Sequence, residues 1–347
     1  MLKTKSIFLV FAFFLLMSTG LAMTEQRPVA AAGPYTIALS TAYGCGTKAV
    51  ADIGTWVASL GWTLKVTSGP INATFLSDVD ALLLGSPYGP VSGLEEFNST
   101  NWPAYYTPIV DWFATGGGKF LWVGSDGDYQ GRNWIAENGS AILAGVGSAI
   151  RIEPADISEL ALLGWDDGYA DYRLIVNVTA SNAVSQFCFD GVNATLFHGP
   201  TCLYGISGGA AVSLEDVAIP NVYPIGLEHA QSKYEPDDPT VPGYAHTIGE
   251  AGPFVMIAGQ VGLGPAYDNK VMACGASMYG DYEPIWKDSY HGLAMNGSGF
   301  VKNCILWGLT YEAFPPGLDP LLIIAVVAIV IVIVVIVIIV LLLRRRK

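Results

Sequence analysis

Apolar residues follow three rhythms along this chain. Short unbroken runs alternate with helix-spaced stretches through the middle, and a long pure run lies near each end. Tyr35–Ser40, Thr63–Thr67, Asp80–Leu84 and Lys119–Val123 read as buried strands bounded by Gly, Ser or Pro. Thr47–Leu60 places Val50, Ile53, Trp56, Val57 and Leu60 on one helical stripe. Tyr106–Ala114 reads as a helix stopped at Gly116-Gly117-Gly118, and Trp134–Leu143 as another. Ala149–Ile152 reads as a strand. Short apolar strands separated by helices predict a parallel sheet covered on both faces. Farther on, Tyr172–Val178, Ala194–Phe197, Leu203–Ser207, Phe254–Gly259 and Lys270–Gly275 read as strands. Residues 230–253 read as a long loop, and Gly299–Leu309 as a final helix with stripe Phe300, Cys304, Leu306 and Trp307.

The ends carry a different message. Lys3 and Lys5 precede the apolar run Ile7–Met17, and Gly20-Leu21-Ala22 suits cleavage, so residues 1–22 read as a signal peptide. Leu321–Leu343 holds only Leu, Ile, Val and Ala, long enough at about 1.5 Å per residue to cross a hydrocarbon core. Arg344–Lys347 follows and stays cytoplasmic by the positive-inside rule. The expected order is therefore signal peptide, an extracellular domain over 33–314, a short stalk over 315–320, a transmembrane helix over 321–343 and a basic tail over 344–347. The expected location is a cell membrane, crossed once, with the domain outside.

Charge sharpens this. The chain has 17 basic and 30 acidic residues. Six of the basic ones lie in the terminal segments, leaving 11 against 30 for the domain, which excludes a nucleic-acid partner needing a basic face. Asn72, Asn98, Asn138, Asn177, Asn193 and Asn296 open Asn-x-Ser/Thr sequons, expected glycosylation sites in an exported chain. Of five cysteines, Cys188 and Cys202 are the expected disulfide, in a compartment that permits one.

Three segments, Asp80-Ala-Leu-Leu-Leu-Gly-Ser, Trp112-Phe-Ala-Thr-Gly-Gly-Gly and Lys119-Phe-Leu-Trp-Val-Gly-Ser-Asp, resemble the class I glutamine amidotransferase-like fold. Phe197-His-Gly-Pro-Thr, Lys270-Val-Met-Ala-Cys-Gly-Ala-Ser and the helix Phe300–Leu309 resemble its trehalose-utilisation-type and gliding-associated relatives. The resemblance covers most of 35–312 and implies an α/β, flavodoxin-like, doubly wound and mostly parallel sheet. Enzymes of that family carry a nucleophilic Cys on the turn after the strand matching Lys119–Val123. Here the turn reads Gly124-Ser125-Asp126-Gly127-Asp128, without a thiol, so amidotransferase activity is not expected.

In open parallel sheets ligands bind outside the carboxyl ends of the strands. That rule selects Tyr43, Ser86, Tyr88, Ser125, Asp126, Asp128, His198, Ser277 and Asp281, with His291 expected near His198 at one sheet edge. Ser125, Asp126 and His198 are the catalytic candidates. No cofactor is expected beyond calcium, for which the paired carboxylates Asp126 and Asp128 are the candidate ligands. Aromatics beside loops, among them Tyr172, Tyr279, Tyr282 and Trp286, suit a sugar face. The leading expectation is a non-catalytic surface domain that binds a glycan, a small solute or a partner protein. The alternatives are an Asp/His hydrolase, metal-assisted or not, and a structural envelope protein.

Overall fold

The computed structural model describes residues 33–42, 46–87, 102–129, 131–159, 172–228 and 231–310. The expected signal, stalk, transmembrane and tail segments lie outside these residues. Among the described residues no helix is long and apolar enough to cross a membrane.

Six helices, α1 (Val50–Ser59), α2 (Ala73–Leu76), α3 (Trp102–Ala114), α4 (Trp134–Gly145), α5 (Ala183–Cys188) and α6 (Gly297–Thr310), surround the strands of the described residues. The main sheet contains β1 (Thr36–Ser40), β2 (Thr63–Thr67), β3 (Ala81–Leu84), β4 (Phe120–Val123), β8 (Val178–Thr179), β12 (Val222–Leu227), β14 (Val255–Leu263) and β15 (Asn269–Cys274). Its order is β2-β1-β3-β4-β15-β14-β12-β8. The first five are parallel, and β14, β12 and β8 extend the sheet through antiparallel pairs. The fold is thus mixed α/β with a mostly parallel central sheet. Smaller sheets flank it: β5 (Ile150–Ile152) with β10 (Leu203–Ser207) and β11 (Ala210–Ser213), β6 (Asp156–Glu159) with β13 (Ser232–Glu235), and β7 (Arg173–Val176) with β9 (Thr195–His198).

The continuous apolar runs are explained by burial on both faces. Along each central strand, alternate side chains enter opposite cores, as the two-residue period of a strand requires. Ile37, Leu39, Leu83, Phe120, Trp122, Met272 and Cys274 meet α1, α5 and α6. Ala38, Leu82, Leu84, Leu121, Val123, Val271 and Ala273 meet α2, α3 and α4. Phe120 and Phe300 are fully buried, and each such side chain stabilises the fold by about 1.5–3 kcal/mol. The run Gly116-Gly117-Gly118 stops α3 with three successive positive φ angles of 72°, 84° and 74°.

Several expectations need correction. Leu60, placed on the apolar stripe of α1, is 42% exposed because the helix ends before it. The expected strand Ala149–Ile152 forms, but in the flanking antiparallel sheet with β10. The expected loop 230–253 contains β13. Cys188 and Cys202 are both free and buried: Cys188 lies against Cys304, whereas Cys202 faces His246, so the expected bridge is not formed. Asn138 is also buried, on the inner face of α4, and its amide nitrogen donates to the Pro87 carbonyl at 3.1 Å. The atom that would carry a glycan is therefore inside the protein. Asn72 and Asn193 are exposed and Asn177 and Asn296 half-buried, while Asn98 lies outside the described residues.

Candidate functional site

The turn after β4 and the loop after β15 leave adjacent parallel strands at their carboxyl ends. They carry Asp126 and Asp281 into one cleft of about 610 Å³. The start of β6 adds Asp156, and the end of β9 adds His198. Tyr129, Tyr172 and Tyr282 line the walls with Arg132, Ser158, Gly199, Glu235 and Asp237.

Geometry at the floor is tight. His198 Nδ1 lies 2.9 Å from Asp281 Oδ2, which fixes the ring and leaves Nε2 as its second polar atom. The His198 ring packs near Tyr172 and Tyr282, with centroids 5.9 and 5.8 Å away. Asp126 is 8% exposed and accepts the Gly127 N–H through Oδ1 at 3.1 Å. Burial, followed by the nearby charges of Asp281 and Asp156, holds its carboxyl well above the usual carboxylate range. Two glycines make room for these acids. A Cβ on Gly127 would fall 1.3 Å from Asp156 Oδ1, and one on Gly199 would fall 2.9 Å from Asp126 Oδ1.

Not every expected residue takes part. Ser125 is fully buried and its hydroxyl donates to the Asp126 carbonyl at 3.2 Å, away from the cleft lining. Ser86 donates to the Ser125 carbonyl at 2.6 Å, and Ser277 to the Tyr279 carbonyl. These serines tie the strand ends together instead of facing a ligand. Asp128 is 1% exposed, and its two carboxylate oxygens accept the N–H groups of Asp237 and Asp238 at 3.0 and 3.2 Å. It is therefore a strut that presents the 237–238 turn to the cleft, and it does not pair with Asp126 as a cation ligand. Among the described residues no group of three His, Cys, Asp or Glu side chains is arranged to hold a metal ion. His291 sits on the hairpin beyond Tyr290, outside the cleft lining. Tyr43 and Tyr88 lie outside the described residues. Tyr279 and Trp286 belong to the core.

Sequence reasoning missed Asp156, Glu235 and Asp237 as cleft residues. Asp237 lies in the segment 230–253, which reads only as a long loop. Asp156 and Glu235 sit in short polar strands whose register, Glu235 opposite Asp156, brings them together.

A second polar cluster is closed to solvent. His246 lies 3.2 Å from Glu153 Oε1 through Nδ1 and 3.3 Å from Glu215 Oε2 through Nε2. Glu153 also accepts the N–H groups of Tyr244, Ala245 and His246. Burial by itself lowers the His246 imidazolium, but its contacts with Cys202, Glu153 and Glu215 together outweigh that and raise it far above its ordinary value. Cys202 is pushed up to about 12 by burial and remains a thiol. With its side chain 1% exposed, His246 has no route to a substrate and acts as an internal clamp.

No protein-family model and no curated protein matches the sequence. Solved structures do resemble it in shape. The "mmIFT52 N-terminal domain" is 12% identical with a TM-score of 0.50, covering 80% of this chain and 99% of its own. A putative GMP synthase component from Thermoplasma acidophilum is 10% identical with a TM-score of 0.36, covering 81% of this chain and 96% of its own. PurLQS from Thermotoga maritima is 12% identical with a TM-score of 0.35, covering 79% and 99% respectively. At these identities the likeness is one of fold alone.

Proposed function

We propose that this chain is a surface-displayed binding domain whose ligand, a small polyhydroxylated solute or the end of a glycan, occupies the cleft between Asp126 and Asp281. The observation that carries this reading is the cleft itself, concave, tyrosine-walled and floored by oriented polar groups at the carboxyl ends of parallel strands. Display outside a membrane is supported by the Leu321–Leu343 run and the basic residues after it. An amidotransferase-like scaffold without amidotransferase chemistry is supported by the order of elements and by the thiol-free turn at Gly124–Asp128.

The full chain in detergent, titrated with a panel of neutral and amino mono- and disaccharides, tests this reading. Binding to at least one probe is expected, weakened about tenfold or more by Tyr282→Ala or His198→Ala. Binding that ignores both substitutions would place the ligand elsewhere.

A second reading, an acid–base hydrolase, is favoured by the 2.9 Å contact of His198 with Asp281 beside Asp126, whose carboxyl burial holds well above the usual carboxylate range. In that case His198 Nε2 takes a proton from water while Asp126 gives one to the leaving group. Turnover of chromogenic glycosides or esters that vanishes in His198→Ala would establish it, and its absence with binding intact would leave the binding domain.

A further inference from the structure

The two ends of the main sheet differ in charge. Asp126, Asp156, Glu235, Asp237 and Asp281 stand around the cleft, beyond the carboxyl ends of the parallel strands. The opposite end is built from the loops that lead into β2, β3, β4 and β15. Ser59-Leu60-Gly61, Ala114-Thr115, Gly117 and Pro265-Ala266-Tyr267 are exposed there, and none is charged. Asp78 and Asp80, at the same end, lie 2.5 Å from Lys65 and 4.0 Å from Lys119, and Asp268 is half-buried.

This uncharged end also receives the close of α6. Lys270, at the start of β15, donates to the Gly308 carbonyl at 3.0 Å, and Tyr35, just before β1, donates to that of Leu309 at 3.2 Å. The last described residue, Thr310, therefore lies beside the 264–268 turn. Ten residues, 311–320, separate it in sequence from the apolar run that begins at Leu321. They reach about 33–36 Å at most, so they hold this end of the domain nearest a bilayer that the run crosses. Tyr267 stands at the tip of the turn, 68% exposed, with a φ of 58°. Gly or Asn holds that backbone conformation with less strain, so the turn by itself does not account for a tyrosine.

We propose that, on the membrane-display reading above, the Pro265-Ala266-Tyr267 turn is a lipid-contact site that rests on the headgroup layer and turns the cleft away from the membrane. A tyrosine suits that layer, because its ring is apolar and its hydroxyl stays wet. The charge distribution favours the same orientation: an anionic lipid surface repels the acidic cleft end and meets no exposed carboxylate on this turn.

Hydroxyl-radical footprinting of the full chain in phosphatidylcholine nanodiscs, one chain per disc, tests this within a single sample. Tyr282, 62% exposed at the cleft, is the internal reference. Tyr267 is expected to oxidise about threefold or more slower than Tyr282, as burial of most of an exposed ring in the interface requires. A spin label at Tyr267→Cys, in a Cys45→Ser background, then identifies what covers the turn. Lipid contact admits dissolved oxygen and excludes a water-soluble nickel complex, and that pattern is expected. Equal oxidation of the two tyrosines in chains that co-purify with the discs would overturn the inference and leave membrane display standing. A label closed to both oxygen and nickel would mean that protein, not lipid, covers the turn, and would also overturn it. A folded chain that does not enter the discs would overturn the display reading as well.

Discussion

His246 holds together parts of the chain that share no strand. Its ring bridges Glu153, after β5, to Glu215, after β11, while its own segment supplies N–H donors to Glu153. The folded protein raises this histidine, so it binds a proton there at pH values where the unfolded chain, near 6.5, has lost it. Its contribution is complete below about 6.5 and declines as pH rises, by at most about 1.4 kcal/mol per pH unit. Glu215 is held below its ordinary value by the same histidine, by Ser213 and by the Val255 N–H, against the opposing effect of burial. Its share is present above about 4.5 and is lost on acidification. Urea unfolding at pH 6, 7 and 8 is expected to show stability falling with pH, and His246→Gln should flatten that slope. The substitution also strands two buried carboxylates, at a cost of about 3–5 kcal/mol, partly recovered by adding Glu215→Gln. The thiols give a simpler readout. Cys188, Cys202, Cys274 and Cys304 are buried and free, and burial pushes Cys202 and Cys274 up to about 12. Peptide mapping after alkylation of the native protein is expected to find all four unmodified, and Asn138 without a glycan.

Elements differ in how plainly they announce themselves. β3 and β4 were legible because both faces of Ala81–Leu84 and Phe120–Val123 are buried, leaving unbroken apolar runs. β6 and β13 were not. Asp-Ile-Ser-Glu and Ser-Lys-Tyr-Glu pair with each other, and each gives the core one large side chain, Ile157 and Tyr234. β12 was hidden by Pro224 and Gly226, where its pairing with β14 slips register. The cleft inherits this division. Asp126, His198 and Asp281 follow legible strands, whereas Asp156 and Glu235 come from the illegible pair. Asp128 was selected by position but given the wrong task, because its amide partners lie 109 and 110 residues away. Close approach between elements is also invisible until the chain folds. A Cβ on Gly275 would lie 1.7 Å from the Thr201 carbonyl oxygen, a backbone atom that no rotamer change can move. Gly275→Ala is therefore expected to cost about 1–3 kcal/mol in urea denaturation and to loosen the end of β15 beneath the cleft.

At the scale of the molecule, two apolar cores on opposite faces of one sheet make the floor of the cleft rigid, while its walls come from flanking hairpin-like pairs. Tyr129, Tyr172 and Tyr282 are 58%, 43% and 62% exposed, and stand on those walls and loops. Ligand binding is accordingly expected to slow amide hydrogen exchange in the wall segments 126–129, 156–159, 232–238 and 277–282. The central strands, already protected, should change little.

The sheet order carries one last consequence, for how the chain comes to be folded. β15 is wedged between β4 and β14, so the middle of the sheet closes only when a segment some 150 residues downstream arrives. Until then β4 presents a bare apolar edge, Phe120-Leu121-Trp122-Val123, open to any strand that will pair with it. A nascent chain halted short of Asn269 thus holds an unfinished sheet and no α6 to cover it. Such high contact order makes for slow maturation and a need for a chaperone's shelter while the second half is still being made.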